Sequence, residues 1–164
     1  MDHVMPSAVI VFPRRARLAF NAAAPAIAVM AANALAMLVG WGANLPTFNG
    51  VAFAPPAWLI GVAWLGVFGS LGVGRWEACG ARDHLRDRSR WVTGLLVWSV
   101  AYVFVAGAFG PVWSMVHSVS LFALGAIALA RVAPVSGRAG AWVAAPLVWI
   151  GYSVILSVFA LNGQ

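Results

Sequence analysis

The sequence predicts an all-α membrane protein, one five-transmembrane-helix bundle forming a single domain over residues 1–164. Three observations predict it. Of the 164 residues, 63% are hydrophobic and 9% charged, whereas a soluble domain carries about 45–50% apolar and about 25% charged residues. The chain therefore lacks the polar surface that contact with water demands. Five stretches hold no Asp, Glu or Arg and are long enough, or nearly so, to cross ~30 Å of hydrocarbon at ~1.5 Å per residue. All ten basic residues are arginines, and they fall in three short segments that five crossings bring to one face. The stretches are continuously apolar rather than alternating over about ten residues, which favours helices over a β-barrel.

The first span, about 18–40, follows Arg14, Arg15 and Arg17. A cleaved signal core runs about 7–15 residues, so this longer run is expected to be a retained helix. Ala24, Ala28, Ala32 and Ala36 recur at every fourth position, which permits close approach of a neighbouring helix. The second span, about 56–74, opens on Pro55-Pro56, where missing amide donors cost a helix nothing. The third and fourth, about 91–109 and 111–130, are separated only by Gly110, and Pro111 follows it. That helix-stopping pair predicts an antiparallel hairpin with almost no loop. The fifth covers about 139–161.

Charge sets the topology. Residues 1–17 carry three arginines, residues 75–90 carry Arg75, Arg82, Arg86, Arg88 and Arg90, and residues 131–138 carry Arg131 and Arg138. The 41–55 loop, the Gly110 turn and the C-terminus carry none, so the positive-inside rule puts the N-terminus in the cytoplasm and the C-terminus outside. A multi-pass protein of a bacterial inner membrane is expected. The net charge of +6 thus reads as a topology and anionic-headgroup signal, with the lipid bilayer as partner and no nucleic acid. Glu77, Asp83 and Asp87 are interleaved with the arginines of the middle segment and read as a solvated, partly paired loop. The single cysteine, Cys79, cannot form an internal disulfide, and the absence of lysine excludes a Schiff-base mechanism.

No carboxylate lies within a span, which leaves ion-coupled transport without its usual relay groups. Nor is there a His/Cys/Asp/Glu cluster at metal spacing, a Ser-His-Asp set or a phosphate loop, so no catalytic residue, metal site or required cofactor is predicted. Tryptophan is what stands out. Trp41, Trp58, Trp76, Trp91, Trp113 and Trp142 fall near span ends and fit an interfacial aromatic belt. Trp64, Trp98 and Trp149 lie deep, where an indole N–H needs a partner or a ligand. Tyr102 and His117 share the outer half with Trp64. These aromatics either enclose an outward pocket for a large flat ligand, bounded by the 41–55 loop, or simply fill the core. His117 is either a ligand to a metalloporphyrin, or to a carboxylate, or a neutral ring satisfied by a backbone carbonyl. Asn21 and Asn33 read as interhelical hydrogen-bond formers.

The run Phe53-Ala54-Pro55-Pro56-Ala57-Trp58, followed by Trp64, Val67 and Phe68, resembles the second-helix opening of the TspO/MBR family, the tryptophan-rich sensory or translocator proteins. In the last span Pro146, Trp149, Leu156-Ser157 and Leu161-Asn162 resemble that family's closing pattern. Five spans with a near-loopless turn between the third and fourth extend the resemblance over the whole chain. Phe68 stands where the family has Tyr, Ser157 where it has Asn, and the third span holds neither Gln nor Asn.

The resemblance implies a TspO-like bundle, often dimeric, that binds a tetrapyrrole such as protoporphyrin or haem, or a sterol-like molecule, as a receptor or in a transport-related role. It implicates Trp64 and Trp149, and together with the deep aromatics it gives Trp58, Trp64, Phe68, Tyr102, His117 and Trp149 as expected ligand-binding residues. Two other readings stay open: a membrane assembly or interaction protein with no small-molecule ligand, and light-dependent porphyrin degradation.

Overall fold

Each apolar stretch forms one helix. A computed structural model describes residues 14–45, 48, 50–80 and 86–162, and no strand occurs among them. The helices are α1 Arg14–Leu38, α2 Ala57–Gly80, α3 Arg86–Phe109, α4 Pro111–Val132 and α5 Gly137–Asn162, with a short 3-10 turn at Trp41–Asn44 after α1. All five are long and apolar enough to cross a membrane. The chain is a multi-pass membrane protein built from five candidate spanning helices.

The helices run past the apolar stretches at the arginine-rich end, where α2 continues to Gly80 and α3 starts at Arg86. Arginine stems can lie along apolar surface while their heads reach water, so charge does not stop a helix where it stops the hydrocarbon. Arg82 and Asp83, read above as part of a solvated loop, lie outside the described residues. Glu77 belongs to α2 and pairs with Arg138 of α5 at 3.2 Å. Because Arg138 is largely exposed, the pair contributes little.

Around the bundle, α1 packs on α2, α2 on α5, α5 on α4, α4 on α3, and α3 closes back onto α1, with α2 and α3 also touching. Val67, Phe68, Leu71, Leu95, Val103, Leu121, Val143 and Ile150 form the centre of the core. Buried serines answer their own hydroxyls within the helix: Ser99 donates to Leu95 O, Ser118 to Ser114 O and Ser157 to Ser153 O. This back-bonding allows small polar side chains inside a dry bundle.

Two glycines set backbone geometry. Gly110 turns the chain between α3 and α4 at φ +81°, a conformation that side chains resist, and Pro111 starts α4 where no amide is needed. Gly72 faces α1 where Pro25 interrupts the helix, and a Cβ at 72 would collide with the Asn21 carbonyl oxygen. That carbonyl is the one Pro25 leaves without its usual intrahelical donor. Asn21 does link helices: Arg75 of α2 donates from Nη1 to Asn21 Oδ1 and from Nε to Thr93 Oγ1 of α3, both at 3.0 Å. Asn33 does not, since its amide donates to Val29 O of its own helix at 2.9 Å.

Candidate functional site

At the end opposite the arginines, α1, α2 and α3 diverge around a cavity of about 500 Å³. Trp64, Phe68 and Tyr102 form its aromatic wall, Val29 and Asn33 of α1 face them, and Leu45 and Phe48 of the connecting loop close over it. The fold brings these residues together for a simple reason. Trp64 on α2 and Tyr102 on α3 each lie about two turns from the helix end opposite the arginines, roughly 10 Å deep, and Phe68 lies one turn deeper on the same face of α2 as Trp64. Trp64 stacks on Tyr102 with centroids 6.1 Å apart and planes 20° from parallel, and Phe68 lies 6.2 Å from Trp64.

The lining is mostly apolar. Its polar atoms belong to Asn33, Ser99 and Tyr102. The Tyr102 hydroxyl faces the Ser114 and Ser118 side chains of α4, and Ser99 is spent on its own backbone. The cavity offers flat π surface and few hydrogen bonds, with no charged side chain in its wall. Such a wall suits an extended apolar ligand with its polar groups at the mouth.

The loop over the cavity is anchored at two points. Asn44 Nδ2 donates to Gly107 O at 2.7 Å. Because α3 ends at Phe109 and residue 111 is a proline, no following backbone amide is placed to serve that carbonyl. Farther along, the Tyr152 hydroxyl of α5 donates to Phe53 O at 2.7 Å, and Phe53 meets Phe159 edge-on with centroids 5.1 Å apart. The Pro55-Pro56 pair then delivers the chain into α2, where Pro56 O accepts from the amides of Leu59 and Ile60.

The other residues singled out from sequence lie elsewhere. Trp58 is 69% exposed at the start of α2, outside the cavity wall, as belt residues are. Trp149 is half-buried on α5 against Tyr152 and the core, and it too is absent from the wall. Its Nε1 is the one sealed side-chain polar atom without a hydrogen-bond partner among the described residues. His117 is buried on α4, stacked on Trp98 with centroids 4.3 Å apart, and its Nε2 lies 2.9 Å from Trp98 O. That is the carbonyl-satisfied arrangement, and His117 is not among the residues lining the cavity. Trp98, the third deep indole, donates to Ser120 Oγ at 2.8 Å.

Sequence reasoning missed Asn33, Ser99 and Phe48 as cavity residues. Only Asn33 carried a signal, as an amide within an apolar span. No clusters of three or more His, Cys, Asp or Glu suited to a metal occur among the described residues. Comparison of the chain with family models, with curated proteins and with solved structures finds no match.

Proposed function

We propose that this chain is a divergent TspO-like protein that binds a flat hydrophobic ligand of the tetrapyrrole class in the cavity between α1, α2 and α3. The observation that carries the reading is the stacked Trp64–Tyr102 pair facing a roomy, mostly apolar cavity at one end of a membrane bundle. A volume of about 500 Å³ falls within the ~300–1,000 Å³ range of small-molecule sites. The ring system lies against Trp64, Phe68 and Tyr102, and Leu45 and Phe48 cover it. With no basic residue in the wall, the ligand's carboxylates stay at the mouth, in water or among headgroups.

The arrangement supports binding rather than chemistry. His117 is not among the residues lining this cavity, so it would not hold a haem bound there. Trp58 and Trp149 act outside the site as belt and core residues. The protein holds its ligand for sensing or transfer, with the arginine-rich end in the cytoplasm and the cavity opening outward.

Titration of the protein in lipid nanodiscs with protoporphyrin and with haem, followed by Soret shift and tryptophan quenching, tests this. Wild type binds saturably, Trp64→Ala binds about tenfold more weakly through loss of the ring contact, and Trp149→Phe binds like wild type. A signal that rises linearly with ligand, as in empty nanodiscs, refutes the pocket and leaves the reading of a membrane assembly protein.

A further inference from the structure

A second groove lies between α3 and α4, open to the bilayer side of the bundle, with a volume of about 350 Å³. Trp98, Phe109 and Trp113 give it an aromatic wall, Val116 forms its rim, and His117 and Ser120 supply its polar atoms. Phe109 and Trp113 brace each other with centroids 6.2 Å apart. Three polar bonds lock the floor. Trp98 Nε1–H donates to Ser120 Oγ at 2.8 Å, the Ser120 hydroxyl donates to His117 O at 2.6 Å, and His117 Nε2 meets Trp98 O at 2.9 Å.

A carbonyl oxygen can only accept, so the proton of the neutral imidazole sits on Nε2 and Nδ1 holds the lone pair. Among the described residues, the hydrogen bond the ring makes is through Nε2, to Trp98 O. His117, 3% exposed, is thus a groove-lining side chain with Nδ1 as its uncommitted acceptor. Surrounding lipid tails have no donor for it, and an unmet polar group in hydrocarbon is costly.

We propose that this groove is a second binding site, for a flat phenolic amphiphile that enters from the bilayer and donates its hydroxyl to His117 Nδ1. The ring stacks among Trp98, Phe109 and Trp113, and the alkyl tail lies along α4 in lipid. Specificity follows from the donor inventory. Trp98 Nε1–H, the Ser120 hydroxyl and His117 Nε2–H are already committed, so a quinone or ester carbonyl finds no donor and a hydroxyl finds an acceptor. The volume lies near the lower end of the ~300–1,000 Å³ range, which fits a single ring with part of its chain.

Calorimetric titration of protein nanodiscs, referenced to empty nanodiscs, with 4-hexylphenol and with its methyl ether 4-hexylanisole separates the hydroxyl from simple partitioning. The phenol saturates at one site per chain and the ether binds about tenfold more weakly, the effect of one lost hydrogen bond. His117→Phe keeps a ring in place and abolishes the difference. Val116→Trp, at a rim position 48% exposed to the bilayer side, fills the groove, leaves His117 intact and abolishes phenol binding. Equal binding of phenol and ether, a difference that survives His117→Phe, or phenol binding that survives Val116→Trp overturns the proposal.

Discussion

Removing the Asn44 amide unfastens the loop over the cavity. Asn44→Ala deletes the 2.7 Å bond to Gly107 O and leaves that carbonyl without a donor at the end of α3. An orphaned, partly buried acceptor costs about 1–3 kcal/mol. The Tyr152–Phe53 anchor remains and Asn44 is itself exposed, so the low end of that range applies, about 1–1.5 kcal/mol. Charged to loop docking, this raises the undocked population by roughly five- to tenfold. Hydrogen–deuterium exchange in nanodiscs reads it directly. Amides of residues 39–45 exchange about five- to tenfold faster in the variant, while α4 and α5 amides are unchanged. Under the proposed binding reading, the same opening accelerates porphyrin release by a similar factor. Exchange in 39–45 that matches wild type refutes the anchoring role; faster exchange throughout the bundle shows instead that Asn44 supports the whole fold.

The other predictions concern packing, polar linkage and orientation. Gly72→Ala places a methyl against the Asn21 carbonyl and destabilises the α1–α2 contact by about 1–3 kcal/mol, read as a lower unfolding midpoint in detergent titration. Gly94→Ala, where an added Cβ meets nothing within 4 Å, is the matched control and stabilises by about 0.5–1 kcal/mol through helix propensity. Arg75→Met removes both polar links from α2 to α1 and α3 and lowers stability by about 1–3 kcal/mol in the same titration. The exposed Cys79, near the arginine-rich end of α2, reacts with an impermeant maleimide only when the cytoplasmic face is opened; labelling in sealed right-side-out vesicles contradicts the orientation.

The helices were legible in the sequence because membrane spans follow from length and composition alone. The Gly110-Pro111 hairpin was legible for an equally local reason, a glycine at positive φ beside a residue without an amide. The site was only half legible. Trp64 and Tyr102, each roughly 10 Å from the helix end opposite the arginines, do meet, with Phe68 one turn deeper, yet Trp149, deeper still on α5, turns to Tyr152. Depth fixes height along the bundle, and which faces converge depends on neighbour order. Since α3 closes onto α1 while α5 lies beyond α2, the cavity takes its wall from the first three helices. Asn33 misled for a related reason, since an amide in a span signals a partner without saying whether it is another helix, its own backbone or a ligand.

Filling the cavity tests the binding reading most directly. Gly61 lines the wall, and an added Cβ there meets nothing within 4 Å, so Gly61→Leu introduces bulk without breaking the fold. Protoporphyrin titration of this variant beside wild type, with unfolding midpoints measured in parallel, is the decisive comparison. The predicted result is saturable binding by wild type and affinity at least tenfold lower for Gly61→Leu at an unchanged midpoint. Identical saturable curves for the two proteins place any porphyrin outside this cavity and contradict the assignment.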